Sequence, residues 1–215
     1  MEIWKIHEKL EEALSMGTSI WIYVEKKVKG KWIPAQGLLK DESGESDLPL
    51  PDMIYSERNF LLFDFLTGFT TKEVQYFEAK GLPSDISPEI KKIFERFWPD
   101  VRLSSYLTLK ELESVDWNHH TVKCHGYVHE EYQEIFEREL TKPIDKRNYR
   151  LIDALIYSDS LTGKLYKWEA PIKYAFRKFY KNVVENLILY WQDWDYEDDE
   201  DFDPSKIRIV FWFSP

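Results

Sequence analysis

The chain carries one cysteine, Cys124, among 215 residues, so no intrachain disulfide framework exists. Its eight glycines build no Walker loop and no dinucleotide-binding pattern. A G-x-S-x-G elbow and an H-E-x-x-H helix are also missing. No run approaches the roughly 18 apolar residues that a membrane span needs. The opening Met-Glu-Ile-Trp-Lys-Ile-His has neither the basic nor the apolar stretch of a secretory signal. With a single thiol, the expected compartment is a reducing cytoplasm, that of a host bacterium if a phage encodes the chain. Cations are scarce: 29 Lys and Arg face 39 Asp and Glu, a net charge of −10. That balance excludes a general nucleic-acid binder, because phosphate neutralisation needs a Lys/Arg footprint. These absences point to no cofactor and no membrane partner.

Aromatic side chains are abundant, with nine Trp, thirteen Tyr and thirteen Phe. Such rings bury large areas and serve a core and an interface equally well. The length suits a single domain, 1–215, with a possible insertion over 141–168 and an acidic loop over 193–205.

Residues 2–16 read as an amphipathic helix, with Ile3, Ile6, Leu10 and Leu14 on one stripe, stopped by Gly17. Residues 19–25 alternate as a strand, and the Lys-rich turn at Gly30 leads to a returning strand at about 31–36. Residues 37–53 read as a loop. Ser56 is placed to cap a helix that ends before Gly68. Residues 71–79 read as extended. Ser87-Pro88-Glu89 is a helix start, with cap, first-turn proline and acid at the positive end of the dipole. Thr108-Leu109-Lys110-Glu111 matches the capping box, flanked by Leu107 and Leu112 as a hydrophobic staple. A strand follows at 119–128 and a helix at 129–140. The longest helix is expected over about 171–191, with Ile172, Phe176, Phe179, Val183, Leu187 and Trp191 along one face. Ile207, Ile209, Phe211 and Phe213 share a face of a closing strand, about 207–213. Helices and strands mix without strict βαβ alternation, so the expected class is α+β with an antiparallel sheet.

Six ordered stretches carry a resemblance. They are Ser-Ile-Trp-Ile-Tyr-Val-Glu (19–25), Gly-Lys-Trp (30–32), Arg-Asn-Phe-Leu-Leu-Phe (58–63), Gly-Leu-Pro-Ser-Asp-Ile-Ser-Pro-Glu (81–89), Ser-Tyr-Leu-Thr-Leu-Lys-Glu-Leu (105–112) and Arg-Ile-Val-Phe-Trp-Phe (208–213). Together they resemble a family of uncharacterised proteins of bacteriophages and bacteria, over about half the chain. The resemblance implies a phage or prophage origin, and with it a host-directed inhibitor or a ligand sponge. Similar proteins read Asp-x-His where this chain has Ser19-Ile20-Trp21, and Asp-x-His-Ser where it has Asp100-Val101-Arg102-Leu103. These departures count against an inherited histidine-based enzyme.

Three groups of residues are candidates for function. His119, His120, Cys124, His125 and His129 fall within eleven positions and are ligand types that suit zinc-like ions. Strand alternation would put His119, His125 and His129 on one face as metal ligands, although the spacing fits no zinc signature. Asp193 to Asp203 holds eight acids interleaved with Trp194, Tyr196 and Phe202. Trp194, Tyr196, Asp198, Asp199, Glu200 and Phe202 are therefore candidate contacts for a basic partner, against the plainer reading of a solvated loop. Arg58 and Asn59, before a helix, are candidate anion contacts. The leading expectation is a non-enzymatic binding protein, occupying a host protein with a basic surface or sequestering a small ligand. The competing one is a metal-dependent hydrolase built on 119–129.

Overall fold

The computed structural model describes residues 19–35, 53–57, 59–68, 74–97, 99–101, 103–157, 163–189 and 203–214. The expected helix over 2–16, the loop before residue 53, Arg58 and the acidic run over 193–202 lie outside the described residues. The architecture is α+β, with helices and antiparallel sheets. No helix among the described residues is long and apolar enough to cross a membrane.

The chain forms two compact units, residues 1–115 with 178–215, and residues 116–177. The expected insertion over 141–168 is thus the middle of a longer segment that closes on itself. The cause is strand pairing within that segment, described below. In chain order the first unit contributes β1 (Ser19–Val28), β2 (Lys31–Pro34), β3 (Met53–Glu57), α1 (Phe60–Thr67), α2 (Pro88–Phe97), β4 (Leu103–Thr108) and α3 (Leu109–Glu113). The second holds β5 (Thr121–His129), α4 (Gln133–Leu140), α5 (Tyr149–Leu155), β6 (Ile156–Tyr157), β7 (Gly163–Pro171) and α6 (Ile172–Ala175). The first unit is completed by a helical run after Arg177 and by β8 (Ile207–Ser214).

The strands expected at 19–25, 31–36 and 207–213 do share one sheet, ordered β2-β1-β8-β4, with β3 also paired to β1. Lys29 and Gly30 both have positive φ, 48° and 80°, as a two-residue turn matched to strand twist requires. All eight residues of β8 are buried, because strands flank it on both sides and helices cover both faces. One face aligns Ile20 with Phe213 and Ile22 with Phe211. On it Phe63 of α1 stacks on Phe213, ring centroids 4.4 Å apart. The other face carries Tyr23, Val210 and Trp212 against Ile90 and Phe94 of α2. Tyr23 stacks on Trp212 at 4.9 Å, and burial pushes its phenol pKa up to about 12.

Several local expectations are corrected. Ser56 lies within β3, and the helix cap is Asn59, whose side chain accepts the Leu62 N–H at 3.1 Å. Gly68 ends α1 in the left-handed conformation, φ 64°, and a Cβ there would collide with the Gln75 side chain. Residues 74–79 form no strand; Tyr76 and Phe77 both donate their N–H to the Phe65 carbonyl. The long helix is not a continuous α-helix. Pro171 ends β7, Phe176 leaves the helical region (φ −112°, ψ 29°), and Tyr180–Glu185 is π-helical. Of the residues expected along its apolar stripe, Ile172, Phe176, Phe179, Val183 and Leu187 are buried, and Trp191 lies outside the described residues.

In the second unit β5 pairs along its whole length with β7, and with the two-residue β6 at one end. The inner face and the two longer helices enclose Val128, Phe136, Ile152, Leu155, Trp168 and Ala170. Entry and exit of the segment are joined by backbone bonds, Ile172 N–H to the His120 carbonyl at 2.9 Å and Lys173 N–H to the Trp117 carbonyl at 3.0 Å.

Candidate functional site

The histidines are not brought together. Because β5 begins at Thr121, His119 and His120 precede the strand in a turn. His119 Nδ1 lies 2.9 Å from Asp116 Oδ1, which also accepts the His119 N–H at 3.0 Å. His125 and His129 do share the outer face, but four residue steps along the strand set their backbones about 13 Å apart. Donors on one zinc ion stand roughly 2 Å from it, so these two rings cannot share one. Among the described residues no three His, Cys, Asp or Glu side chains form a metal-holding group. The expected set of His119, His125 and His129 is therefore corrected. His129 Nδ1 is 3.4 Å from Glu131 Oε1, an ion-pair distance without hydrogen-bond geometry, and is left buried without a hydrogen bond.

Cys124 sits on the inner face of β5, and burial pushes its thiol pKa up to about 11, helped by the Asp153 carboxylate. A thiol held so high is protonated at neutral pH and is a poor nucleophile. Near it Tyr174 donates to Asp153, whose other oxygen pairs with Arg177 at 2.8 Å, and Tyr149 stacks on Tyr174 at 4.1 Å. Burial and the Asp153 bond raise the Tyr174 phenol far above its ordinary range, so it holds its proton. Asn59 spends its carbonyl oxygen on the α1 cap. Arg58, Trp194, Tyr196, Asp198, Asp199, Glu200 and Phe202 lie outside the described residues.

A constellation that sequence reasoning missed sits in the first unit. Strand register puts Glu25 of β1, Arg208 of β8 and Thr108 of β4 side by side on one face. Glu25 is fully buried and Arg208 is 3% exposed. A charge so placed must be paired. Arg208 Nε donates to Glu25 Oε2 at 2.6 Å, while Glu25 Oε1 accepts the Ser87 N–H at 2.7 Å. The Nη1 and Nη2 edge of the guanidinium turns to Asp85, meeting its Oδ1 at 2.7 Å and its backbone carbonyl at 3.2 Å. Trp32 closes the group: its ring lies under the guanidinium at 4.0 Å, and its indole N–H donates to Asp85 Oδ2 at 2.9 Å. Tyr106 stands on β4 with its ring centroid 5.4 Å from the guanidinium carbon. Bonding to Arg208 holds the Asp85 carboxyl below the usual range despite some desolvation.

The geometry is that of a rigid arginine. Its charge is balanced from beneath by a carboxylate and its plane is fixed by an aromatic ring, as oxyanion recognition uses. Lys27 and Lys80 stand over the Trp32 and Tyr106 rings at 5.5 and 4.8 Å. Five of the six stretches that carry the resemblance meet here, through Glu25, Trp32, Asp85, Tyr106 and Arg208. The usable signal was thus a charged residue inside an apolar strand, at Glu25 and at Arg208.

No protein-family model, curated protein or solved structure matches the chain.

Proposed function

We propose that the chain is a non-enzymatic binding protein of phage origin that occupies a protein of the host bacterium. The observation that carries this reading is the segment Asp193 to Asp203, with eight acids around Trp194, Tyr196 and Phe202. Acids of that density steer a basic partner and set its orientation, and aromatic rings give a contact its lifetime. The far end of the run is anchored. Asp203 Oδ1 accepts the Ser205 N–H at 2.9 Å and starts the Pro204–Lys206 turn that leads into β8. The resemblance to phage and bacterial proteins supports the origin and a working place in the host cytoplasm.

Affinity capture from a bacterial lysate, followed by rates at two salt concentrations with the captured protein, tests this division. Replacing Asp198, Asp199 and Glu200 by Asn or Gln slows association and flattens its salt dependence. Trp194→Ala speeds dissociation. Deletion of 195–202 that leaves both binding and fold unchanged would sink the proposal.

A further inference from the structure

We propose that Arg208 is a reader of carboxylate ligands, and that Asp85 is a tethered occupant of its binding edge. The inference is independent of the acidic segment. It starts from a redundancy of charge. Burial of Arg208 demands one partner, and Glu25, itself fully buried, supplies it through Nε at 2.6 Å. Asp85 is a second carboxylate on a guanidinium already neutralised. Its side chain is 60% exposed, so burial does not require it to be paired there. What Asp85 reveals is the direction of the binding edge: Nη1 and the Trp32 indole N–H converge on its carboxylate, while Nη2 holds its backbone carbonyl.

Two donors aimed at one exposed carboxylate, Arg208 Nη1 and the Trp32 indole N–H, on a guanidinium locked from beneath by Glu25, form a preorganised oxyanion site. Lys27 adds positive charge beside it, in a chain whose net charge is −10, while the Lys80 ammonium is paired with Glu111. The base of the turn is held separately, by the Ser87 N–H on Glu25 at 2.7 Å. The Asp85 side chain can therefore rotate away while its carbonyl stays on Nη2 and Ser87 and α2 stay in place. The occupant fits a carboxylate because a carboxylate occupies the site, and an aromatic carboxylate gains contact with the rings of Trp32 and Tyr106. A tethered competitor lowers apparent affinity by the fraction of time the site stands open.

The test uses benzoate as the probe and the Trp32 indole N–H resonance as the reporter, with the full chain. Benzoate should shift that resonance saturably, while potassium chloride at matched ionic strength leaves it in place. Asp85→Ala, an exposed and well-tolerated change, should bind benzoate at least about tenfold more tightly than the wild type. Arg208→Lys keeps the charge but loses the forked edge, and should lose benzoate binding. Asp85→Ala alone decides the matter should Arg208→Lys unfold. Equal affinity in wild type and Asp85→Ala, or a chloride response equal to that of benzoate, would overturn the proposal. Phosphate competing for the site more strongly than acetate would overturn the carboxylate assignment.

Discussion

The first unit buries an ion pair within its sheet, whereas the second sets its buried or backbone-bonded charges at the ends of its short helices. In the first, Glu25 and Arg208 face each other across β1 and β8 and reach out to the turn before α2. In the second, Arg147 donates to three backbone carbonyls, of Leu140, Lys142 and Glu169. Glu139, 3% exposed, takes the Asn148 N–H and the Lys142 ammonium. Short helices leave a large share of their backbone groups unpaired, and these side chains satisfy them. The pair in the first unit depends on strand register, and that in the second on loop conformation. A change to either set should therefore unsettle different amides.

The largest effect is expected from the smaller core. Phe136 is fully buried against Trp168 and Tyr166, at 5.5 and 5.0 Å between ring centroids. Phe136→Ala should cost on the order of 3–5 kcal/mol. Hydrogen exchange should rise first over 116–177. Simultaneous loss of protection in β1 and β8 would show that the two units do not unfold separately.

Glu25→Ala leaves a buried guanidinium with Asp85 as its remaining carboxylate. The expected cost is about 3 kcal/mol, the lower end for breaking a buried pair. Denaturant unfolding followed by the Trp212 environment reads it, and an unchanged midpoint would mean that the pair is stabilisation-neutral. Thr108→Ala comes next. Thr108 Oγ1 accepts the Glu111 N–H at 3.2 Å while Glu111 returns a carboxylate to the Thr108 N–H at 2.8 Å. Loss of that reciprocal cap should cost about 1 kcal/mol, and a midpoint shift too small to measure would refute the cap's contribution.

The smallest effect concerns pH. Asp85 has its folded pKa below the unfolded value, so its stabilisation is present above the ordinary carboxylate range and is lost as pH falls through the folded pKa. Because the side chain is 60% exposed, screening keeps the gain under about 1 kcal/mol. Asp85→Asn should therefore sit slightly below the wild type in urea midpoint at neutral pH and converge with it as pH falls through the folded Asp85 pKa. A gap that persists in acid would assign the difference to lost geometry rather than charge.

What the sequence made legible followed from periodicity. Ile20, Ile22 and Val24, then Ile209, Phe211 and Phe213, alternate cleanly, and they do face one way in one sheet. The Thr108 capping box was readable because its two bonds are local. β3 and β4 were missed because Met-Ile-Tyr-Ser-Glu and Leu-Ser-Ser-Tyr-Leu-Thr mix polar residues into short strands whose partners lie far along the chain. Ser56 looked like a cap for the same reason. The stripe from Ile172 to Leu187 fixed a buried face but not the helix type, since the spacing of buried positions tolerates a π turn. The Arg208 site escaped because it joins residues separated by 183 positions, Glu25 to Arg208, which no local pattern connects.

The central position of β8 has a consequence for the order of synthesis. β1 and β4 leave the ribosome long before their shared partner, and the whole of 116–177 is made between Thr108 and Ile207. The second unit is contiguous and its strand pairs are local to it, so it can fold once Arg177 has emerged. Through that interval Ile20, Ile22 and Val24 wait as an incomplete apolar edge, open to wrong pairing and in need of protection by chaperones. Nascent chains stalled before Ile207 should therefore be the aggregation-prone species, with a folded second unit attached to an unfinished first one.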